Sequence, residues 1–465
     1  MKLIYSLIIS LFIISCNNKS DNPPNFILIL ADDQGWSGTS VKMSSNNDYS
    51  KSQYFETPNL ERLSINGMKF SRGYSSSPVC SPSRYSIQFG QTTARLKMIR
   101  VGMNTKHIDH QNPNTIPKIL KKINPNYVTA HFGKWHIDAN PNDFGYDVHD
   151  GKNGNKIGEF DNDKTQWINK FSEDPKKIFS LSKKSTDFIE KQNALNKPFF
   201  LQISHYAIHT NIISKENTYN KYLNKEKSLK TDNPGLAAMN ENLDEGIGII
   251  LDKIEELNLS NNTYIIYTSD NGSVPTVPAR RVYNKSINFP LSRGKWDAME
   301  GGIRVPFIVS GPKIKANESK VPVIGYDLLP TIIDIVDPNF IPKENIDGGS
   351  FKKVLFGDGN GVIKRPNQGL IFHVPYENKI ALNRAHSSII IDNFKLIKFR
   401  DNNEINLFDL DEDIFESIDI SNLKPEIRNS LESKLENYLR DVKSLKWKKG
   451  INWKNVDINK INSFY

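Results

Sequence analysis

Cys80 stands in the run Pro78-Val79-Cys80-Ser81-Pro82-Ser83-Arg84 and is one of only two cysteines in 465 residues. A thiol with no disulfide partner is either buried and inert or chemically used. Two acidic pairs, Asp32-Asp33 and Asp270-Asn271, offer a second kind of chemistry. All four side chains are hard oxygen donors, which suits calcium and disfavours zinc. Three carboxylates gathered together would repel one another unless a divalent cation sat among them. Taken singly, an Asp-Asp pair after a strand is more often a turn or a helix cap, and Asn271-Gly272 a turn. Arg84, Lys134 and Lys295 supply positive charge, while His136 and His209 are candidate proton handlers, because a histidine titrates near working pH. Of the nine histidines, His131 and His205 read as structural or substrate-lining.

These residues need a frame that delivers them to one place. Asn25 to Ala31 (NFILILA) is a continuous apolar run, the pattern of a strand buried on both faces of a parallel sheet, and it ends in Asp32-Asp33. Similar runs occur at Phe199 to Ser204, at Tyr264 to Ser269 and around Val305 to Ser310. Helical spacing appears between them, most clearly over Leu236 to Leu257. The alternation predicts an α/β fold: a large, mostly parallel sheet flanked by helices. In such sheets ligands gather beyond the carboxyl ends of the strands, where both acidic pairs sit. A Gly-, Asn- and Pro-rich stretch at 357–367 marks a change. Beyond it, Ser387 to Ile391, Phe394 to Phe399 and Ile405 to Leu410 read as antiparallel strands. A last helix carries Ile427, Leu431, Leu435 and Leu439 on one stripe. The resulting division is a catalytic domain over 25–365 and a small C-terminal α+β subdomain over 366–465.

The N-terminus reads as an export signal. Met1-Lys2 is basic, Leu3 to Ile14 is almost wholly apolar, and Ser15-Cys16 follows. Ile13-Ile14-Ser15-Cys16 resembles a bacterial lipobox, so residues 1–15 are expected to be a lipoprotein signal, Cys16 the lipidated residue and 16–24 a tether. This predicts an exported protein, lipid-anchored to a bacterial membrane. With 61 Lys and Arg against 52 Asp and Glu, the net charge is +9. No basic block interleaved with aromatics accompanies it, so an anionic sugar suits the charge better than a nucleic acid.

The segment from Cys80 to Arg84, continuing to Gly90, resembles the signature of the formylglycine-dependent sulfatases of the alkaline-phosphatase-like superfamily. The resemblance runs in order along nearly the whole chain. It includes Asp32-Asp33-Gln34-Gly35-Trp36, Gly133-Lys134-Trp135-His136, Pro198 to His209, Ser269-Asp270-Asn271-Gly272, Gly294-Lys295 and Glu300 to Pro306. It implies that a maturation enzyme oxidises Cys80 to formylglycine, whose hydrate attacks sulfur and later expels sulfate by re-forming the aldehyde. It further implies that Asp32, Asp33, Asp270, Asn271 and residue 80 hold calcium, and that Arg84, Lys134 and Lys295 stabilise charge in the transition state. His136 would deprotonate the sulfated hydrate, His209 would assist the leaving oxygen, and Asp270 is a further acceptor for the attacking proton.

The sequence departs from the family pattern at three places. Ile208 replaces a proline before the second histidine, Tyr85 to Phe89 replaces smaller residues, and Ile390 replaces an arginine expected to meet substrate. For such an enzyme, export, a lipid anchor and a basic balance suggest a polymeric or oligomeric carbohydrate sulfate, an algal polysaccharide or a glycosaminoglycan, and the Asn- and Lys-rich composition turns that expectation toward algal polysaccharides such as ulvan. Two other readings compete: a phosphodiesterase or phosphonate monoester hydrolase of the same superfamily, and a catalytically dead glycan-binding surface protein. In the C-terminal subdomain, His373, with His386 behind it, is the candidate for contacting the sugar, the alternative being that His373 packs at the domain seam.

Overall fold

Eight strands form the central sheet: β1 (Asn25–Ala31), β2 (Gly67–Phe70), β3 (Val128–Gly133), β4 (Val148–His149), β5 (Phe199–Ser204), β6 (Thr263–Ser269), β7 (Phe307–Ser310) and β8 (Asn317–Ser319). Their order across the sheet is β8-β2-β7-β6-β1-β5-β3-β4. The computed structural model describes residues 22–228, 230, 232–343 and 345–465, so the proposed signal and Cys16 lie outside the described residues. Every neighbouring pair is parallel except the two made by β7, which runs antiparallel to both β6 and β2. The expected apolar run near Val305 is therefore a strand, but a reversed one. An apolar run reports burial on both faces and carries no information on direction.

Strand alternation divides the core. Phe26, Leu28 and Leu30 of β1 face one cluster, and Ile27, Ile29 and Ala31 face the other. The second face is covered by helices α1 (Pro58–Ile65), α3 (Ile178–Ala194) and α4 (Pro234–Glu256), and α2 (Cys80–Phe89) packs on the first. Helix α4 begins at Asn233, whose side chain accepts from the Leu236 N–H, with Pro234 at its first position. It buries Leu243, Ile247, Ile250, Leu251 and Ile254, the stripe legible in the sequence.

The C-terminal sheet is a four-stranded antiparallel meander, β9 (Leu370–Val374), β10 (His386–Ile391), β11 (Phe394–Phe399) and β12 (Ile405–Asp409). The first of these was not anticipated. Helix α5 (Pro425–Asp441) lays Leu431, Leu435 and Leu439 on one face of this sheet, together with Ile371, Ile389, Leu396 and Leu407. The opposite face, with Leu370, Phe372 and Val374, joins the central core. The small sheet is thus continuous with the large one through shared packing.

Candidate active site

Four adjacent parallel strands end along one edge of the sheet. In spatial order β6, β1, β5 and β3, they are followed by Asp270-Asn271, Asp32-Asp33, the loop to His209, and Lys134-Trp135-His136. The register holds the ends level, with Ala31 opposite Ser269 and Gly133 opposite Ser204. Backbone bonds carry it further: Asp270 N–H donates to Ala31 O at 3.1 Å and Lys134 N–H to Ser204 O at 2.7 Å. Gly133 has φ +88°, and a Cβ there would lie 2.1 Å from the Ser204 carbonyl. The loop after β5 is tied to the end of β1 by Asp32 N–H to Ala207 O (2.9 Å) and Ile208 N–H to Asp32 O (2.7 Å). A proline at 208 could not make the second bond, which gives Ile208 a structural use.

Helix α2 brings in the thiol. Cys80 is its first residue, so the positive end of the helix dipole lies at Sγ. Pro82 is tolerated in the first turn because its missing N–H would have had no partner there. Arg84, one turn on, shares the Cys80 face, and its Nε and Nη2 reach Asp270 Oδ2 at 2.8 and 2.7 Å. The helix ends at Gly90, φ +63°. Tyr85 and Gln88, departures from the family pattern, are absorbed by polar contacts: Tyr85 Oη accepts from Asp138 N–H, and Gln88 donates to Gln202.

The electrostatics are arranged in pairs. Lys134 Nζ meets Asp32 Oδ2 at 2.5 Å, Lys295 Nζ meets Asp33 Oδ2 at 2.7 Å, and Arg84 meets Asp270. All six side chains are buried. The carboxylates therefore do not face one another uncompensated, which corrects the expectation that only a cation could reconcile them. Burial works against the Lys295 ammonium, but Asp33, Cys80 and Asp32 outweigh it and raise its pKa. Burial likewise raises the pKa of Cys80, against the pull of Lys134 and Lys295.

A cation nevertheless fits. Ligand atoms of Asp32, Cys80 and Asp270 all lie within 4.8 Å of one another. Asp32 Oδ1 and Asn271 Oδ1 are buried with no hydrogen-bond partner, a costly state that a hard cation would relieve. The Asn271 amide nitrogen donates to Asp33 Oδ1 (2.7 Å) and Gly272 O (2.9 Å), which leaves its oxygen free for that purpose. The carboxylate of Asp33 is taken up by Asn271 and Lys295 and lies beside this trio. Gly272 is required by close approach, since a Cβ there would sit 1.9 Å from Gly301 O.

For both catalytic candidates among the histidines the surroundings favour the neutral form. Burial, then Lys134, Arg84 and Lys295, push His136 well below its usual pKa, and its Nδ1 is buried without a partner. For His209, burial, then Lys295 and Lys134, have the same effect. Its Nδ1 meets Thr210 O at 2.7 Å, which places the hydrogen on Nδ1 and leaves Nε2, 3.8 Å from Asp33 Oδ2, as the basic nitrogen. Asp33, Cys80, His209 and Lys295 line a cleft of about 450 Å³. His131 is elsewhere in the core, bonded to Ser204 Oγ and held edge-on to Trp135, with a pKa lowered to about 3 mainly by burial. His205 is also fully buried.

Two expectations about substrate contact are corrected. His373 is 1% exposed, with Nδ1 against Ser387 Oγ and Nε2 against Leu445 O, both at 2.6 Å. His386 is equally buried, and its Nε2 accepts from Ala298 N–H at 3.0 Å. Neither lines the cleft. Ile390 lies in the core as well. Along β9 the even-numbered residues face the catalytic core and His373 the other side, toward Leu445. The same parity carried past the strand end delivers Tyr376 to the cleft, with Arg100, Phe160, Trp167 and Trp296 on its walls. The Tyr376 signal was present in the strand pattern; the others sit in loops without a periodic signal. His373→Ala is expected to lower stability by about 1–3 kcal/mol through the loss of two buried hydrogen bonds. Turnover per folded molecule should stay within about twofold on a glycan sulfate and an aryl sulfate alike. Loss confined to the glycan would restore the substrate role.

Comparison with known proteins agrees with this geometry. The sulfatase family profile matches residues 24–338, and a profile described as N-sulphoglucosamine sulphohydrolase, C-terminal, matches residues 295–444. An N-acetylgalactosamine-6-sulfatase of Mus musculus is 29% identical over 330 residues, 62% of this chain and 58% of the mouse protein. The match thus spans little more than half of that relative's length. An ulvan-active sulfatase of Formosa agariphila is 24% identical over 389 residues, 75% of this chain and 70% of its own. Among solved structures, Ps i-CgsB in complex with k-i-k-neocarrahexaose superposes with a TM-score of 0.73 at 23% identity, covering 93% of this chain and 97% of that one. That likeness speaks for the fold. The family profile covers more than half of the chain, and this chain belongs to the sulfatase family.

Proposed function

We propose that the protein is an exported, lipid-anchored sulfatase that hydrolyses sulfate esters of a sulfated carbohydrate. Export and anchoring rest on the pattern of residues 1–16 alone; the observation that carries the hydrolytic reading is the gathering around Cys80 of the buried cations Arg84, Lys134 and Lys295 with Asp32, Asp33 and Asp270, which follow two adjacent strands. Formylglycine made from Cys80 by a maturation enzyme would supply an oxygen nucleophile with a built-in route for releasing sulfate. Calcium held by Asp32, Asp270, Asn271 and residue 80, with Asp33 beside them, would supply positive charge that lowers the pKa of that oxygen.

The chain's own residues do the rest. Lys134 and Lys295 present fixed ammonium groups to the sulfate oxygens and stabilise charge as the ester bond breaks. Arg84 holds Asp270, which would accept the attacking proton, through an Nε–H bond and an ion pair to the same carboxylate oxygen. His136, held neutral, accepts a proton near residue 80; His209, whose bare nitrogen is Nε2, would assist the leaving sugar oxygen only after taking up a proton there, a form that the negative charge of a bound sulfate ester favours.

The mouse relative is named for N-acetylgalactosamine and the Formosa relative for ulvan; both names support a carbohydrate sulfate, and the second favours an algal polysaccharide. Among the described residues a single cluster has metal-ligand geometry, which disfavours a two-metal phosphoryl-transfer reading. Sulfate release from a panel of ulvan, carrageenan and glycosaminoglycan oligosaccharides, run beside phosphate diesters and phosphonate monoesters, tests the proposal. Release from at least one sulfated oligosaccharide is expected, with sulfate esters preferred over phosphate esters. Faster hydrolysis of a phosphate diester than of every sulfate ester would overturn it.

A further inference from the structure

Arg100 lines the same cleft as Cys80, and the mechanism does not use it. Its guanidinium lies 5.1 Å from the ring centroid of Tyr376, another cleft residue. Its Nη1 donates to Asn452 O, and its Nε to Val101 O at 3.3 Å. Among the described residues no carboxylate pairs with it, and Nη2 meets no acceptor. Most buried or partly buried arginines here do have such a partner: Arg84, Arg95, Arg304 and Arg365 each pair with an Asp or Glu. Asp33 is the one acidic residue on the cleft lining, and Lys295 neutralises it. Arg280 and Arg281, next in sequence after the lining residue Ala279, are exposed. A held guanidinium with Nη2 unengaged, on a cleft lining whose Asp33 is already paired, is built to take an anion.

We infer that Arg100 binds a second anionic group of the substrate, a carboxylate or another sulfate, separate from the ester removed at residue 80. The inference rests on the proposed sulfatase reading and narrows its substrate class to sugars carrying at least two anionic groups. The Tyr376 ring lies 5.1 Å from the guanidinium, and the Asn452 and Val101 carbonyls take Nη1 and Nε, so the group is held in place with Nη2 unengaged before substrate arrives.

Matched substrate pairs test this. One pair is a sulfated, uronate-containing disaccharide and its carboxyl-reduced form; the other is a disulfated disaccharide and its monosulfated form. In the unaltered protein the doubly anionic member of at least one pair should have the higher kcat/KM, and the pair that responds identifies the group. In Arg100→Ala that preference should fall by about 10–100-fold, the range of a lost charge-assisted bond. Arg100→Lys, which keeps the charge and loses the fork, should retain part of it. Preferences unchanged in both variants, or equal losses on both members of each pair, overturn the inference. The same pairs measured for affinity in Cys80→Ala protein make the result independent of turnover. An Arg100-dependent affinity difference in a protein that releases no sulfate would sink the proposed reaction and leave the anion site standing. No such difference, in a protein that does release sulfate, would do the reverse.

Discussion

Cys80→Ala is expected to abolish sulfate release, by a factor on the order of 10⁵–10⁶, the scale seen when an enzyme loses its nucleophile. The fold should survive. Cys80 is buried at the start of α2 with no disulfide and packs beside charged groups that pair among themselves. Removing one sulfur atom there leaves every ion pair of the site intact. The melting temperature should therefore shift by only a few degrees, as for a small cavity, while turnover disappears. Lys134→Ala offers a contrast. It leaves Asp32, which is 0% exposed, without its partner, so stability should fall together with activity, by about 3–5 kcal/mol. A Cys80→Ala protein retaining a tenth of the original rate would place the nucleophile elsewhere.

Removing the divalent ion proposed for this site, calcium, is expected to reduce turnover by on the order of 10³-fold or more, since a bound divalent ion is worth several kcal/mol of transition-state charge stabilisation. Its effect on stability should be smaller, about 3 kcal/mol or less at metal concentrations near 100 times the dissociation constant. The reason is the pairing found in the site. Asp32, Asp33 and Asp270 are each matched by Lys134, Lys295 and Arg84, so metal-free protein holds a charge-balanced cluster. Adding a divalent ion leaves a net excess of two positive charges in a buried site, a setting that draws in a sulfate ester. Exhaustive chelation verified by metal analysis, followed by activity and melting measurements, checks both parts. Full activity in metal-free protein would contradict the assignment, and complete unfolding would contradict the charge accounting.

Residues whose position follows from strand periodicity were legible in the sequence. Asp32-Asp33 and Asp270-Asn271 follow apolar runs, and parallel strands gather such residues at one edge. Arg84 came from the resemblance of the run Cys80 to Arg84, and the fold supplies the reason for the spacing: four residues after Cys80 is one turn of α2. The reversal of β7 was not, since its apolar pattern is the same in either direction. His373 was misassigned because its strand, β9, was not recognised. Counting alternate residues along it separates Phe372, Val374 and Tyr376 from His373 and sends only the first set toward the catalytic core. The one-to-one pairing of carboxylates with cations was hidden as well. Lys134 and Asp32, or Lys295 and Asp33, are distant in sequence, and only the fold shows that each lysine reaches one particular aspartate. Arg100 had no signal at all, because loop residues carry no period and its lack of a partner is visible only in three dimensions.

The central claim, that residue 80 acts as an aldehyde made from cysteine, can be read directly. Protein produced together with a maturation enzyme and showing sulfate release should be digested and the peptide containing residue 80 examined by mass spectrometry. Conversion of the thiol to formylglycine is expected, with specific activity proportional to the fraction converted across preparations. Fully active protein in which residue 80 is entirely unmodified cysteine would contradict the account.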